Sequence, residues 1–171
     1  MNIHIAQSFL KAVHDVLAIE TQQKMRRGDI SLSREAYSSS EVTVILNMIG
    51  DIKGMVFYAM TRQYAIGLAS KILGEEMNKL DSLAQSGIAE LGNVMTGKAS
   101  VTLSQMGYDV DITAPTLILG ENAMISTLDI PRLVMELHGE SGGLVLHLAL
   151  KEFRPPRPQE QEAVAVNGVS G

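Results

Sequence analysis

The sequence predicts an α+β fold in which two copies of a helix-plus-three-strands unit build one antiparallel sheet with helices packed on it. Three observations carry this. Runs rich in β-branched residues are bounded by Gly and Ser turns, three other segments carry apolar residues at helical spacing, and short motifs of the first half recur in order in the second.

The elements follow in turn. Residues 3–19 place Ala6, Leu10, Val13 and Leu17 at steps of four, three and four, an amphipathic helix. Residues 30–37, 42–49 and 54–60 read as strands. Ser38-Ser39-Ser40 marks one turn and Gly50-Asp51-Ile52-Lys53-Gly54 a hairpin. The basic cluster Lys24, Arg26, Arg27 before them reads as a solvated turn. A second helix spans 61–73 and is stopped by Gly74; a third, longer one runs from about 80 to 106 and ends at Gly107. Strands are expected over 109–119, 132–138 and 143–150. From Arg154 the text RPPRPQEQEAVAVNGVSG has no sustained period, so the domain is set at 1–153 and 154–171 reads as a flexible, dispensable tail.

The repeat is visible in two places. Ala6-Gln7-Ser8 recurs as Ala84-Gln85-Ser86, 78 positions on, and Leu10, Val13 and Leu17 are matched by Ile88, Leu91 and Met95. Gly50-x3-Gly54-Met55-Val56 recurs as Gly139-x3-Gly143-Leu144-Val145, 89 positions on. Both hairpins thus carry a glycine pair.

Composition narrows the function. Hydrophobic residues make up 46% of 171, enough for a core, but aromatics are only 4% and Trp is absent, so that core is aliphatic with ten Met as filler. There is no Cys, which removes disulfides and thiolate chemistry. The four His lack ligand spacing, and His138 and His147 fall in strands, where a hydrogen-bonded structural role is the ordinary one. A formal charge of −5 argues against a nucleic-acid surface. No apolar run reaches membrane-spanning length and no signal-peptide pattern opens the chain, so cytoplasm is the expected compartment.

The third helix carries the chemistry. With Ile88 at 0° and 100° per residue, Ala84, Leu91, Met95, Ala99 and Leu103 fall between about 320° and 60°, a core stripe. Ser86, Glu90, Asn93 and Gly97 cluster between about 140° and 200°, on the outward face. Outward positions are ordinarily polar, so a Glu and an Asn three apart carry little alone. Asn is a poor mid-helix residue, however, and an exposed Gly costs about 1 kcal/mol against Ala. Small residues on that line would let a partner's backbone approach.

Ser86-x3-Glu90-x2-Asn93, with Pro115 22 positions after the Asn, resembles the motif of the CheC, CheX and FliY family of chemotaxis phosphatases. The text of residues 65–76, Glu90-Leu91-Gly92-Asn93 and Gly107-Tyr108-Asp109 is most similar to the CheX type, and the likeness runs from residue 1 to about 153. The resemblance implies an aspartyl-phosphate phosphatase acting on a phosphorylated CheY-like response regulator. It implies Glu90 pairing with a receiver lysine and Asn93 orienting the attacking water. Ser86 and Gly97 would belong to the docking face, and Pro115 would shape a strand edge as a structural member of the motif. It also implies no cofactor of the chain's own, the Mg²⁺ lying in the receiver, and a homodimer joined at sheet edges. The 78-residue shift sets Ala12 and Asp15 opposite Glu90 and Asn93, so the first half reads as an inactive copy. A non-catalytic receiver-binding module and a structural flagellar-switch protein are the alternatives; the second would want switch-binding domains.

Overall fold

The computed structural model describes residues 2–22 and 24–157. Among them the elements are α1 (Ile3–Thr21), β1 (Arg26–Ser33), β2 (Tyr37–Ser38), β3 (Val42–Gly50), β4 (Ile52–Met60), α2 (Arg62–Leu73) and α3 (Ser82–Gln105). After these come β5 (Val110–Ile112), β6 (Thr116–Leu119), β7 (Met124–Ile125), β8 (Arg132–Gly139) and β9 (Gly142–Glu152). Each helix begins on a side-chain cap: Asn2, Thr61 and Asp81 accept the N–H of His4, Tyr64 and Ala84. Gly74 closes α2 in the left-handed conformation, as its position after the apolar stripe implies. No helix among the described residues is long and apolar enough to cross a membrane.

The sheet is antiparallel throughout, in the order β1-β8-β9-β4-β3-β5, with β6 also on β3. This order makes the repeat physical. The two hairpins, β3–β4 and β8–β9, meet at the centre through β4 and β9. Each half's first strand then crosses to the other half's hairpin, β1 to β8 and β5–β6 to β3. The local two-fold passes between the pairs Phe57↔His147 and Tyr58↔Leu146.

Alternation of side chains divides the sheet into two faces. Val42, Val44, Leu46, Val56, Tyr58, Leu146 and Leu148 face α1, α2 and α3 and form the main core with Phe9, Leu68, Ile88 and Met95. Tyr37, Ile45, Phe57, Ala59 and Ala149 form a smaller cluster on the other face, under the β2–β7 ribbon. His147 is buried there. Its Nδ1 accepts from Arg132 Nε at 3.2 Å, and Arg132 also donates to Glu35 O and lies over the Tyr37 ring. Because Arg can only donate, this fixes the neutral tautomer with the proton on Nε2. Burial, with the adjacent guanidinium second, pushes the imidazole down to about 4.

Three segments differ from expectation. Strand β1 starts at Arg26 and stops at Ser33, so Arg26 and Arg27 pair with His138 and Leu137 and are not a turn. The first half of this edge strand, Arg26-Arg27-Gly28-Asp29, carries no apolar alternation to announce it. Residues 109–119 are not one regular strand. Three residues, Thr113 to Pro115, stand against Leu46 and Asn47 of β3, a one-residue bulge between β5 and β6. Thr113 bridges it, donating its N–H to Asn47 O and accepting the Asn47 N–H on its Oγ1. Finally, the first tail residues fold back: Arg154 donates to Asp51 O, as does Phe153 at the end of the domain, and Arg157 N–H donates to Gly107 O at 2.9 Å. The rest of the expected tail, 158–171, lies outside the described residues.

Candidate functional site on α3

Two buried devices bring α3 close to the sheet. Gly92 faces it, and a Cβ there would stand 2.7 Å from Val44 Cγ1 and 3.5 Å from Tyr58 Cδ2. One turn on, Thr96 Oγ1 donates to Gly92 O at 2.8 Å and is 2.9 Å from Tyr58 Oη. Since the Thr proton is used on the carbonyl, Tyr58 is the donor of the second bond. Burial raises the Tyr58 pKa well above its usual value, so the phenol keeps that proton. The turn holding Asn93 is thereby tied to β4.

The opposite side of the same turn is open. Glu90 is exposed and Asn93 half-buried. Asn93 Nδ2 donates to Glu90 Oε2 at 3.4 Å, so the two side chains share one face, as their spacing implies. That long bond uses one of the amide's two N–H groups. Ser86, also exposed, turns its hydroxyl proton onto Ser82 O at 2.9 Å. Gly97 is half-buried beside β5, where a Cβ would meet Ile112 Cδ1 at an ordinary 3.9 Å. Pro115 sits in the bulge between β5 and β6 on the outer edge of the sheet. Tyr58, Gly92 and Thr96 were missed from the sequence. The wheel did hold one signal, since Gly92 falls inside the core stripe, where a missing side chain means close approach.

The repeat needs one correction. Ala12 is 2% exposed and cannot match the exposed Glu90. A shift of 79 instead superposes the buried faces, Ile5, Phe9, Ala12, Val13 and Val16 on Ala84, Ile88, Leu91, Gly92 and Met95. Lys11 and His14 then stand where Glu90 and Asn93 stand. The neighbouring Asp15 is held by Lys11 at 2.6 Å and by Lys98 at 3.2 Å. The Lys11 bond is the largest of the effects that lower its pKa. A cation replaces the acid and an imidazole the amide, so the first helix lacks the pair.

A two-fold antiparallel sheet of crossed halves with three helices packed on one face is the CheC-like fold. The chain superposes on a CheC-like superfamily protein from Shewanella sp. PV-4 with a TM-score of 0.80, at 24% identity, over 88% of this chain and 99% of that one. Residues 42–138 match the family described as chemotaxis phosphatase CheX, and the chain belongs to that family. It is 32% identical over 146 residues to the CheY-P phosphatase CheX of Thermotoga maritima, covering 84% of this chain and 91% of that protein. It also superposes on the CheX of a CheX–CheY–BeF3–Mg²⁺ complex from Borrelia burgdorferi, with a TM-score of 0.72 and 27% identity over 86% and 97% of the two chains.

Proposed function

We propose that this chain hydrolyses the aspartyl phosphate of a CheY-like response regulator, with Asn93 and Glu90 of α3 as the working pair. The observation that carries the reading is their shared exposed face on a helix that a buried glycine and a Tyr–Thr bond fix to the sheet. Family membership gives the reaction class.

In this reading water attacks phosphorus, the bond from phosphorus to the aspartyl oxygen breaks, and a carboxylate and inorganic phosphate result. A carboxamide is too weak a base to take a proton outright. It accepts from the water through its carbonyl and donates through its remaining N–H, which fixes the line of attack, and positioning supplies most of the acceleration in such transfers. Glu90 reaches a lysine of the receiver and docks it. The Mg²⁺ that offsets charge on the phosphoryl oxygens belongs to the receiver. Among the described residues of this chain no cluster of three or more His, Asp or Glu side chains could hold a metal ion. Ser86 and Gly97 flank the pair as contact positions, and Pro115 shapes the adjoining edge.

The protein acts in this account as a cytoplasmic homodimer joined through β1, with 1–153 as the working domain. The edge formed by β5 and β6 is broken by a bulge and a Pro, both features that discourage pairing. In β1, residues 30–33 are regular, and Leu32 is 63% exposed. Phosphate release from a charged receiver by the parent protein and by Asn93→Ala tests the proposal.

A further inference from the structure

We infer that an apolar stripe on α3, formed by Leu83, Val94 and Val101, is the surface that selects the receiver, reading an apolar rim beside its phosphorylation site. The inference rests on the phosphatase reading and assigns partner recognition within it.

These three are among the large hydrophobic side chains left in water, at 50%, 41% and 57% exposure. With Glu90 they occupy steps of seven, four and seven, so all four lie within about 40° of one line along the helix. Asn93, Ser86 and Gly97 lie just to one side of it. The stripe runs about 27 Å, which suits a standard interface of about 800 Å² per partner. It is continuous with the acid–amide pair, so one object engaging Glu90 and Asn93 would cover it.

The inactive half supplies an internal comparison. On the register set by the buried faces, Leu83, Val94 and Val101 correspond to His4, Asp15 and Gln22 of the first half. The stripe positions are thus apolar on the helix that carries the pair, and polar on the helix that lacks it and at its C-cap Gln22. Leu83, Val94 and Val101 face outward, so folding does not demand their apolar character, whereas Asp15 is accounted for by its ion pairs with Lys11 and Lys98. A requirement of docking explains why the stripe and the pair occur together. Charged Glu90 at the centre with apolar groups on either side also has the layout of a specific contact, in which surrounding contacts exclude water from a central polar anchor.

The test uses the full chain and single changes Leu83→Gln, Val94→Gln and Val101→Gln. Gln forms helix about as well as Leu and better than Val, so folding is kept. Ile19→Gln, on an exposed site of α1, is the control. Affinity is measured for a beryllofluoride-charged receiver, and phosphate release at saturating receiver. Each stripe variant is expected to bind about tenfold more weakly, with release at saturation within about twofold of the parent. The control should match the parent in both. Variants that bind as tightly as the parent overturn the inference while leaving the phosphatase reading intact. Variants that dissociate a homodimer but keep receiver affinity also overturn it, since the stripe then belongs to a second copy. A parent that neither binds nor dephosphorylates any receiver overturns the reading and the inference together.

Discussion

Tyr58 of β4 and Thr96 of α3 share a buried hydrogen bond of 2.9 Å, one turn below the outward Asn93. The relay from Tyr58 through Thr96 to Gly92 O makes the height and rotation of that turn a property of the sheet. Thr96→Val should be the costlier change, because it leaves the Tyr58 hydroxyl buried without its partner, at about 1–3 kcal/mol. Tyr58→Phe removes only the donor, and Thr96 still bonds the carbonyl, so about 1 kcal/mol is expected. Urea unfolding of both variants checks the order.

Gly92 and Gly97 of α3 should respond oppositely. Gly92→Ala pushes a methyl against Val44 at 2.7 Å and must move helix or sheet, so both melting temperature and phosphate release should fall. Gly97→Ala meets Ile112 at an ordinary distance and improves helix propensity by about 1 kcal/mol, so it should melt no lower than the parent. A fall in receiver affinity without loss of stability would then report a partner's approach at Gly97.

His147 predicts a pH dependence of stability. Its folded pKa of about 4 lies below the unfolded value near 6.5, so between them the unfolded state binds more protons. The contribution is complete above about pH 6.5 and is lost as pH falls towards 4, on the order of 3 kcal/mol in all. His147→Gln keeps an acceptor for Arg132 but cannot titrate. Its stability should fall less steeply over that window, and equal slopes for the two proteins would contradict the assignment.

Much of this was legible in the sequence, and the gaps have physical causes. Apolar periodicity located all three helices, since each buries one face, and the hairpins showed in their glycines. The repeat was visible too, though the Ala-Gln-Ser match fixed its helical register one residue out. Burial sets register, and identical letters do not record burial. The strand read over 30–37 caught the second half of β1, but its start at Arg26 and the separate ribbon of β2 and β7 were hidden, because edge and two-residue strands owe their state to a partner's backbone. Glu90 and Asn93 were legible as an outward pair from their spacing and from the family motif that they match. Their support was not, because Tyr58 is 38 residues from Thr96 and joins it only when the sheet forms.

The exposed regular end of β1 predicts association. Sedimentation at micromolar concentration should show a dimer, and Leu32→Lys should shift it towards monomer by placing like charges at the paired edge. A parent protein that sediments as a monomer contradicts β1 pairing.

The central claim is that Asn93 orients the attacking water while Glu90 docks the receiver, and single-turnover phosphate release beside receiver binding tests it most directly. Glu90→Ala should weaken binding as well as rate, since a charged hydrogen bond of this kind contributes about 1.5–3 kcal/mol, or one to two decades. Asn93→Ala should bind the charged receiver nearly as the parent does and lose most of the rate, because orientation of the water acts in the transition state. Both sites are solvent-accessible, so both variants should remain folded. A folded Asn93→Ala protein that releases phosphate as fast as its parent contradicts the account.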